Sequence, residues 1–310
     1  VNGWFYYSSR RKQMLSKSLM QTLAVAIVIP TVARATVIVY EPFNYGVSQI
    51  ALNTVNGTAL GLDGTTYAAS DSSVTYEPTG LSFSNLQTSA GAARLPYLNG
   101  HRNSTRGLDA AASSGTVYGS YLYKNYGAVA GGISTLLFTP GAGDTDNTAA
   151  LSVSGNDGGN EIGGVRMFGT KTQMSGTAMD GTGAATYLVL FQISDVGATS
   201  GSQTLEAWVL TEDQFNNFKA GGLTAVELNA ATTGTTSTDV LEKVTYSNPG
   251  PSYFSVATTH SLRMFNYRGN AAFDEIRLGT GSLDEVTPVP EPGSLVAMGL
   301  ISMALVRRRR

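Results

Sequence analysis

From Thr36 to Thr287 the apolar residues arrive in short runs of β-branched and aromatic character, and each run stops at Gly, Asn, Asp or Ser. The clearest are TVYGSYLYKN (116–125), STLLFT (134–139), GVRMFGT (164–170), TYLVLFQIS (186–194), QTLEAWVLT (203–211), SLRMFNYR (261–268) and AAFDEIRLG (271–279). Runs of this length and make-up predict strands, not helices. In 203–211, Leu205, Ala207 and Val209 take one face while Glu206, Trp208 and Leu210 take the other. In 271–279, Phe273, Glu275 and Arg277 oppose Asp274, Ile276 and Leu278, which sets the neighbours Asp274 and Glu275 on opposite faces. Tyr187–Phe191 is apolar on both faces and predicts a central strand. A single segment predicts a helix: Thr211 as N-cap, Gln214 three residues on, acids in the first turn and a Gly221-Gly222 stop. It is expected against the sandwich edge. No linker, repeat or charge block divides 36–287, so the expectation is an all-β sandwich with one core.

Composition narrows the function classes. Among 310 residues, 42% are apolar and 14% charged, which suits a folded chain with a weakly charged surface. There is no cysteine, so disulfides and thiolate metal sites are excluded. The net charge of −2 hides an asymmetry: nine of the 20 basic residues but only one of the 22 acidic residues lie outside 36–287. That middle span therefore carries 11 basic against 21 acidic residues, which repels nucleic acid and excludes it as a partner.

The two ends read as addresses. Arg10, Arg11, Lys12 and Lys17 precede an apolar stretch, Leu19–Val32, and then Ala33-Arg34-Ala35. Basic region, short apolar region and small residues at the −3 and −1 positions predict a signal peptide over 1–35, cut by signal peptidase after Ala35. Residues 1–13 are expected to lie upstream of the true start at Met14. At the other end, 288–310 holds Val289-Pro290-Glu291-Pro292, an apolar run of 14 residues (293–306) and Arg307, Arg308, Arg309 and Arg310. A permanent span needs roughly 20 residues, so this hydrophobic helix is short, and the arginines hold its end on the cytoplasmic side. In that order of parts the chain resembles the PEP-CTERM family of exported bacterial proteins. The resemblance implies sorting by an exosortase-type membrane protease, with Val289–Pro292 as the sorting motif and Arg307–Arg310 as the basic stop. It implies export through the inner membrane, a transient C-terminal transmembrane anchor, and then the cell surface or extracellular matrix.

The opening VYEPFNY (39–45), the strand pair 186–211 and the closing FDEIRLGTGSLDEVTP (273–288) resemble the concanavalin A-like (LamG-like) jelly-roll modules. That resemblance implies a jelly-roll sandwich over 36–287 whose first and last strands pair, with Tyr40–Tyr45 beside Phe273–Leu278. No catalytic set is legible. The two histidines, His101 and His260, lie in polar surroundings, no G-x-S-x-G surrounds a serine, and no E-x-D/E repeat supplies a glycosidase pair. Asp144, Asp146 and Asp157 in a Gly-rich acidic segment are the calcium candidates; otherwise no cofactor is expected. Tyr121, Tyr123 and Trp208 are the glycan candidates, with Tyr121 and Tyr123 sharing a strand face that could lie on the concave surface. The expectation is a non-enzymatic surface or matrix protein associating with extracellular polysaccharide. The alternative is a weak or degenerate glycan-active enzyme on the same fold.

Overall fold

The computed structural model describes residues 37–288 except for several short stretches, the longest being 140–150 and 249–260. Among the described residues, seventeen strands form two antiparallel sheets. The larger runs in the order β12 (Ser175–Gly176), β15 (Glu242–Asn248), β14 (Gln203–Leu210), β13 (Thr186–Val196), β7 (Gly115–Asn125), β17 (Ala271–Gly279), β5 (Ala92–Leu95), β4 (Thr75–Glu77) and β2 (Ile50–Ala51), with β1 (Val37–Glu41) also paired to β17. The smaller runs β11 (Thr170–Gln173), β10 (Gly164–Met167), β9 (Leu151–Asp157), β8 (Ile133–Thr139), β16 (Ser261–Tyr267), β6 (His101–Gly107) and β3 (Ala68–Ala69). From β5 to β8 the chain changes sheet at every step, and it does so again from β15 to β17. These crossings are those of a jelly-roll sandwich. First and last strands pair as expected, Tyr40 opposite Arg277 and Glu41 opposite Ile276.

The inner faces of both sheets meet in one core. Tyr187, Val189, Phe191 and Ile193 of β13 enter it with Leu205, Ala207 and Val209 of β14, against Leu136 and Phe138 of β8 and Leu262 and Met264 of β16. Of the intervening residues, Gln192 and Glu206 keep partial exposure, whereas the apolar ones do not reach water. Leu188, Leu190, Trp208 and Leu210 join a second apolar cluster on the outer face of the large sheet. Three helices supply its cover: α1 (Glu212–Gly221), α2 (Ala225–Ala230) and α3 (Leu283–Val286), through Phe215, Leu228 and Leu283. The central strand is apolar on both sides for this reason. One expected core becomes two layers, and the helix lies on the sheet face, not at its edge.

At the start of α1 the capping box is formed: the Thr211 hydroxyl accepts from the Gln214 N–H, and the Gln214 carboxamide accepts from the Thr211 N–H. The other two helices, of 6 and 4 residues, are too short to show a helical period in sequence.

Strand β17 corrects the alternation. Glu275 sits at φ 53°, and the register slips between Asp274 and Arg277. This bulge restarts the alternation, so Phe273, Ile276 and Leu278 all enter the inner core. Asp274 and Glu275 consequently serve the same neighbouring segment: Asp274 accepts from Leu81 N–H at 2.8 Å, and Glu275 accepts from Ser89 Oγ at 2.7 Å.

The expectation of a transmembrane helix, and of a location reached through a transient membrane anchor, is corrected. Among the described residues no helix is long and apolar enough to cross a membrane. The longest, α1, has 10 residues, about half of what a span requires. Ala33, Ala35, Val289, Pro290, Glu291, Pro292, the run 293–306 and Arg307–Arg310 lie outside the described residues.

Candidate functional site

The glycan candidates do not reach the surface. Tyr121, Tyr123 and Trp208 are all fully buried. The two tyrosines do face the inner side of the large sheet, but the second sheet closes over them, and they pack on Phe273 at 5.9 and 5.4 Å. Trp208 lies on the opposite face, and its Nε1–H donates to Asn229 Oδ1 of α2 at 3.0 Å. None of the three offers a ring to a ligand.

Aromatic surface appears instead at one rim, where β5 hands over to β6 and β16 to β17. Asn266 holds the two turns together. It is fully buried; its Nδ2 donates to Gly269 O at 2.8 Å and Pro96 O at 3.3 Å, and its Oδ1 accepts from Ser134 Oγ at 2.8 Å. On this frame Tyr97 is 46% exposed. The exposed His101 ring meets Tyr267 edge-on at 4.8 Å and Phe265 at 5.4 Å. Arg268, in the left-handed region at φ 54°, lays its guanidinium 5.1 Å over Tyr267 and donates from Nε to Asn99 Oδ1 at 3.2 Å. Around the rim, Arg94 stacks 3.5 Å over Tyr126, whose N–H donates to Asn270 O. The His101, Tyr267 and Arg268 groups thus lie on the small-sheet side with Phe265 and Leu137, whereas Arg94 and Tyr126 lie against the outer cluster of the large sheet.

Sequence reasoning missed this group. His101 reads as a loop residue but opens β6, and its partners Phe265 and Tyr267 lie more than 160 residues away. The only local signal is the exposed tyrosine of PYLNGH, set between a proline and a glycine.

Two buried ion pairs brace the first and last strands. Glu41 and Arg106 form a buried ion pair at 3.0 Å, and Glu41 also accepts from Tyr45, Tyr67 and the Phe43 N–H. Burial pushes the Glu41 carboxyl up against the pull of those donors. Glu275 pairs with Arg277, which stacks on Tyr40 at 4.6 Å. Burial, with the Glu275 charge beside it, raises Asp274 well above the usual carboxylate range. One further acid stands apart: Glu242, on the inner face of β15, is fully buried and pushed by that burial up to about 8.

Among the described residues no group of three or more His, Cys, Asp or Glu could hold a metal. Asp144 and Asp146 lie outside the described residues; Asp157 ends β9, and its side chain also lies outside them.

No family model matches the chain, and no curated protein does. Solved structures similar in shape include the T. cruzi calreticulin globular domain, at 12% identity and TM-score 0.41 over 89% of this chain and 100% of that one. Another is an endo-β-1,4-glucuronan lyase from the fungus Trichoderma reesei, at 11% identity and TM-score 0.40 over 75% and 96%. A third is the VIP36 exoplasmic/lumenal domain in its Ca2+/Man2-bound form, at 8% identity and TM-score 0.38 over 78% and 89%. At these scores no site and no ligand carries across.

Proposed function

We propose that this chain is a glycan-recognising β-sandwich module that takes saccharide at the rim carrying Tyr97, Asn99, His101, Tyr267 and Arg268. The observation that carries the reading is the pair of exposed rings, Tyr97 and His101, with the half-buried Tyr267, on turns held by a buried amide at Asn266. The apolar C–H face of a pyranose can lie on such a ring, while its hydroxyls meet amide and guanidinium donors at the edge. Calcium enters this reading as a companion ion at Asp144, Asp146 and Asp157, oxygen donors of the type that ion prefers.

A second reading, a glycan-active enzyme, is favoured by one observation. Glu242, pushed up to about 8, keeps its proton at neutral pH, as a general acid must. Among the described residues no second carboxylate contributes to that shift, whereas glycosidases work with two.

A glycan array with the full chain tests the first reading. Wild type should retain a subset of glycans. Tyr97→Ala and Tyr267→Ala should each weaken that binding about tenfold, the loss of about 1.4 kcal/mol. Tyr97→Ala should leave the melting temperature unchanged, since the ring is exposed. Absence of binding, or binding indifferent to both changes, would sink the rim. Release of sugar fragments that Glu242→Gln abolishes would favour the enzyme.

A further inference from the structure

Glu242 lies where the two sheets come together along one edge. The chain leaves the small sheet at β11, turns through Met174 and enters the large sheet as β12, which pairs with β15 over only two residues. The pairing there is close: Gly176 faces Glu242 at φ 151°, and a Cβ on it would lie 2.1 Å from Leu241 O. Thr177 N–H donates to Leu241 O at 2.9 Å, and Met174 N–H to Gly163 O at 2.8 Å. Into this joint Glu242 projects a fully buried carboxyl. Its Oε2 accepts from Gly163 N–H at 2.6 Å, across from one sheet to the other, and its Oε1 has no hydrogen-bond partner.

Among the described residues no cation contributes to its electrostatics. Lys243, its neighbour, turns outward and donates to Asn229 O and Ala231 O. Lys171 on β11 is exposed to solvent. The Tyr121 phenol lies close enough for the Glu242 charge to raise it, beyond the effect of its own burial. Val209, paired with Glu242 across the strands, belongs to the inner apolar core. A neutral carboxyl fits such a place. A carboxylate there would have one N–H donor in apolar surroundings, a costly arrangement that a short edge pairing can relieve by opening.

We propose that β10–β12 and β15 form a proton-operated seam: protonated Glu242 holds the two sheets closed along this edge, and loss of the proton opens it to the inner face. The acid's pKa, about 8 when closed against 4.5 when free, fixes the direction and the window. The closed state binds the proton more tightly, so closure is favoured fully below the free value and is lost as pH rises through the closed value. The opening constant should rise about tenfold per pH unit between about 5 and 8 and level off above.

Hydrogen exchange of the full chain, read by mass spectrometry and corrected for the intrinsic pH dependence, tests this. Peptides spanning 163–177 and 241–244 should lose protection about tenfold per pH unit from 5 to 8, while peptides from β13 and β14 stay level. In Glu242→Gln the same peptides should be flat with pH. A flat wild-type profile would overturn the seam. So would a rise shared by β13 and β14, which would be global unfolding, or a rise retained in Glu242→Gln. Should that variant not fold, the contrast within wild type between the seam and β13 still decides. Glycan binding is not needed for any of these outcomes.

Discussion

Arg106 shows how much one residue can organise. Besides its ion pair with Glu41, its Nη2 donates to Gly57 O at 2.9 Å and Gly64 O at 2.6 Å, and its Nε to Asp63 O at 3.3 Å. A single guanidinium therefore ties β1, on the large sheet, to the 57–64 segment and to β6 on the small sheet. A lysine would not reproduce this planar fork of donors. Arg106→Met should cost about 3–5 kcal/mol at pH 7, because Glu41 would be left buried without its charge partner. The penalty should ease at acid pH, where Glu41 takes a proton. Urea unfolding at the two pH values checks both magnitude and trend. A loss below about 1 kcal/mol at pH 7 would mean that the tyrosine and backbone donors suffice. Glu41 sits in a quotable local stretch, VYEPFNY, but its partner is 65 residues away, so sequence spacing could not join them.

At the scale of elements, β7 and β13 depend on a glycine. Gly119 pairs with Phe191, and a Cβ on Gly119 would fall 2.0 Å from the Phe191 ring. The bare strand lets that ring lie over it and reach Phe138 of the small sheet at 5.9 Å. Gly119→Val should overpack this contact and cost about 1–3 kcal/mol or more. Calorimetry should show the midpoint falling by roughly 2–4 °C for each kcal/mol in a domain of this size. An unchanged midpoint would show that Phe191 has another place to go. The strand itself was plain in TVYGSYLYKN, and so was the central position of its neighbour. The bulge at Glu275 was not, because a residue at φ 53° leaves no mark in an otherwise regular alternation.

For the whole molecule, the excess of acidic residues in 36–287 bears on calcium. A cation bound only by the folded chain stabilises it by about 2.7 kcal/mol at a hundredfold excess over Kd. Millimolar calcium should then raise the melting midpoint of the full chain by several degrees, and Asp144→Ala with Asp146→Ala should abolish the rise. A midpoint indifferent to calcium would leave these aspartates as turn formers.

The all-β class, most strand positions and the capping box of α1 were legible in the chain, because each follows from neighbours within a few residues, and the lack of cysteine excluded disulfides. The pairing of first and last strands was legible as well, through the family resemblance carried by VYEPFNY and FDEIRLG. Which aromatic rings meet solvent depends on how the sheets and helices cover one another, which no local stretch encodes. Tyr121, Tyr123 and Trp208 carry the same side chains as a binding platform would, but a second sheet and a helix layer cover them. His101, Phe265 and Tyr267 are brought to one rim by strand register. The ionisation of Glu242 was likewise settled in three dimensions: an ordinary glutamate in LEKV becomes a neutral acid because burial strips it of water and leaves it a single Gly163 N–H.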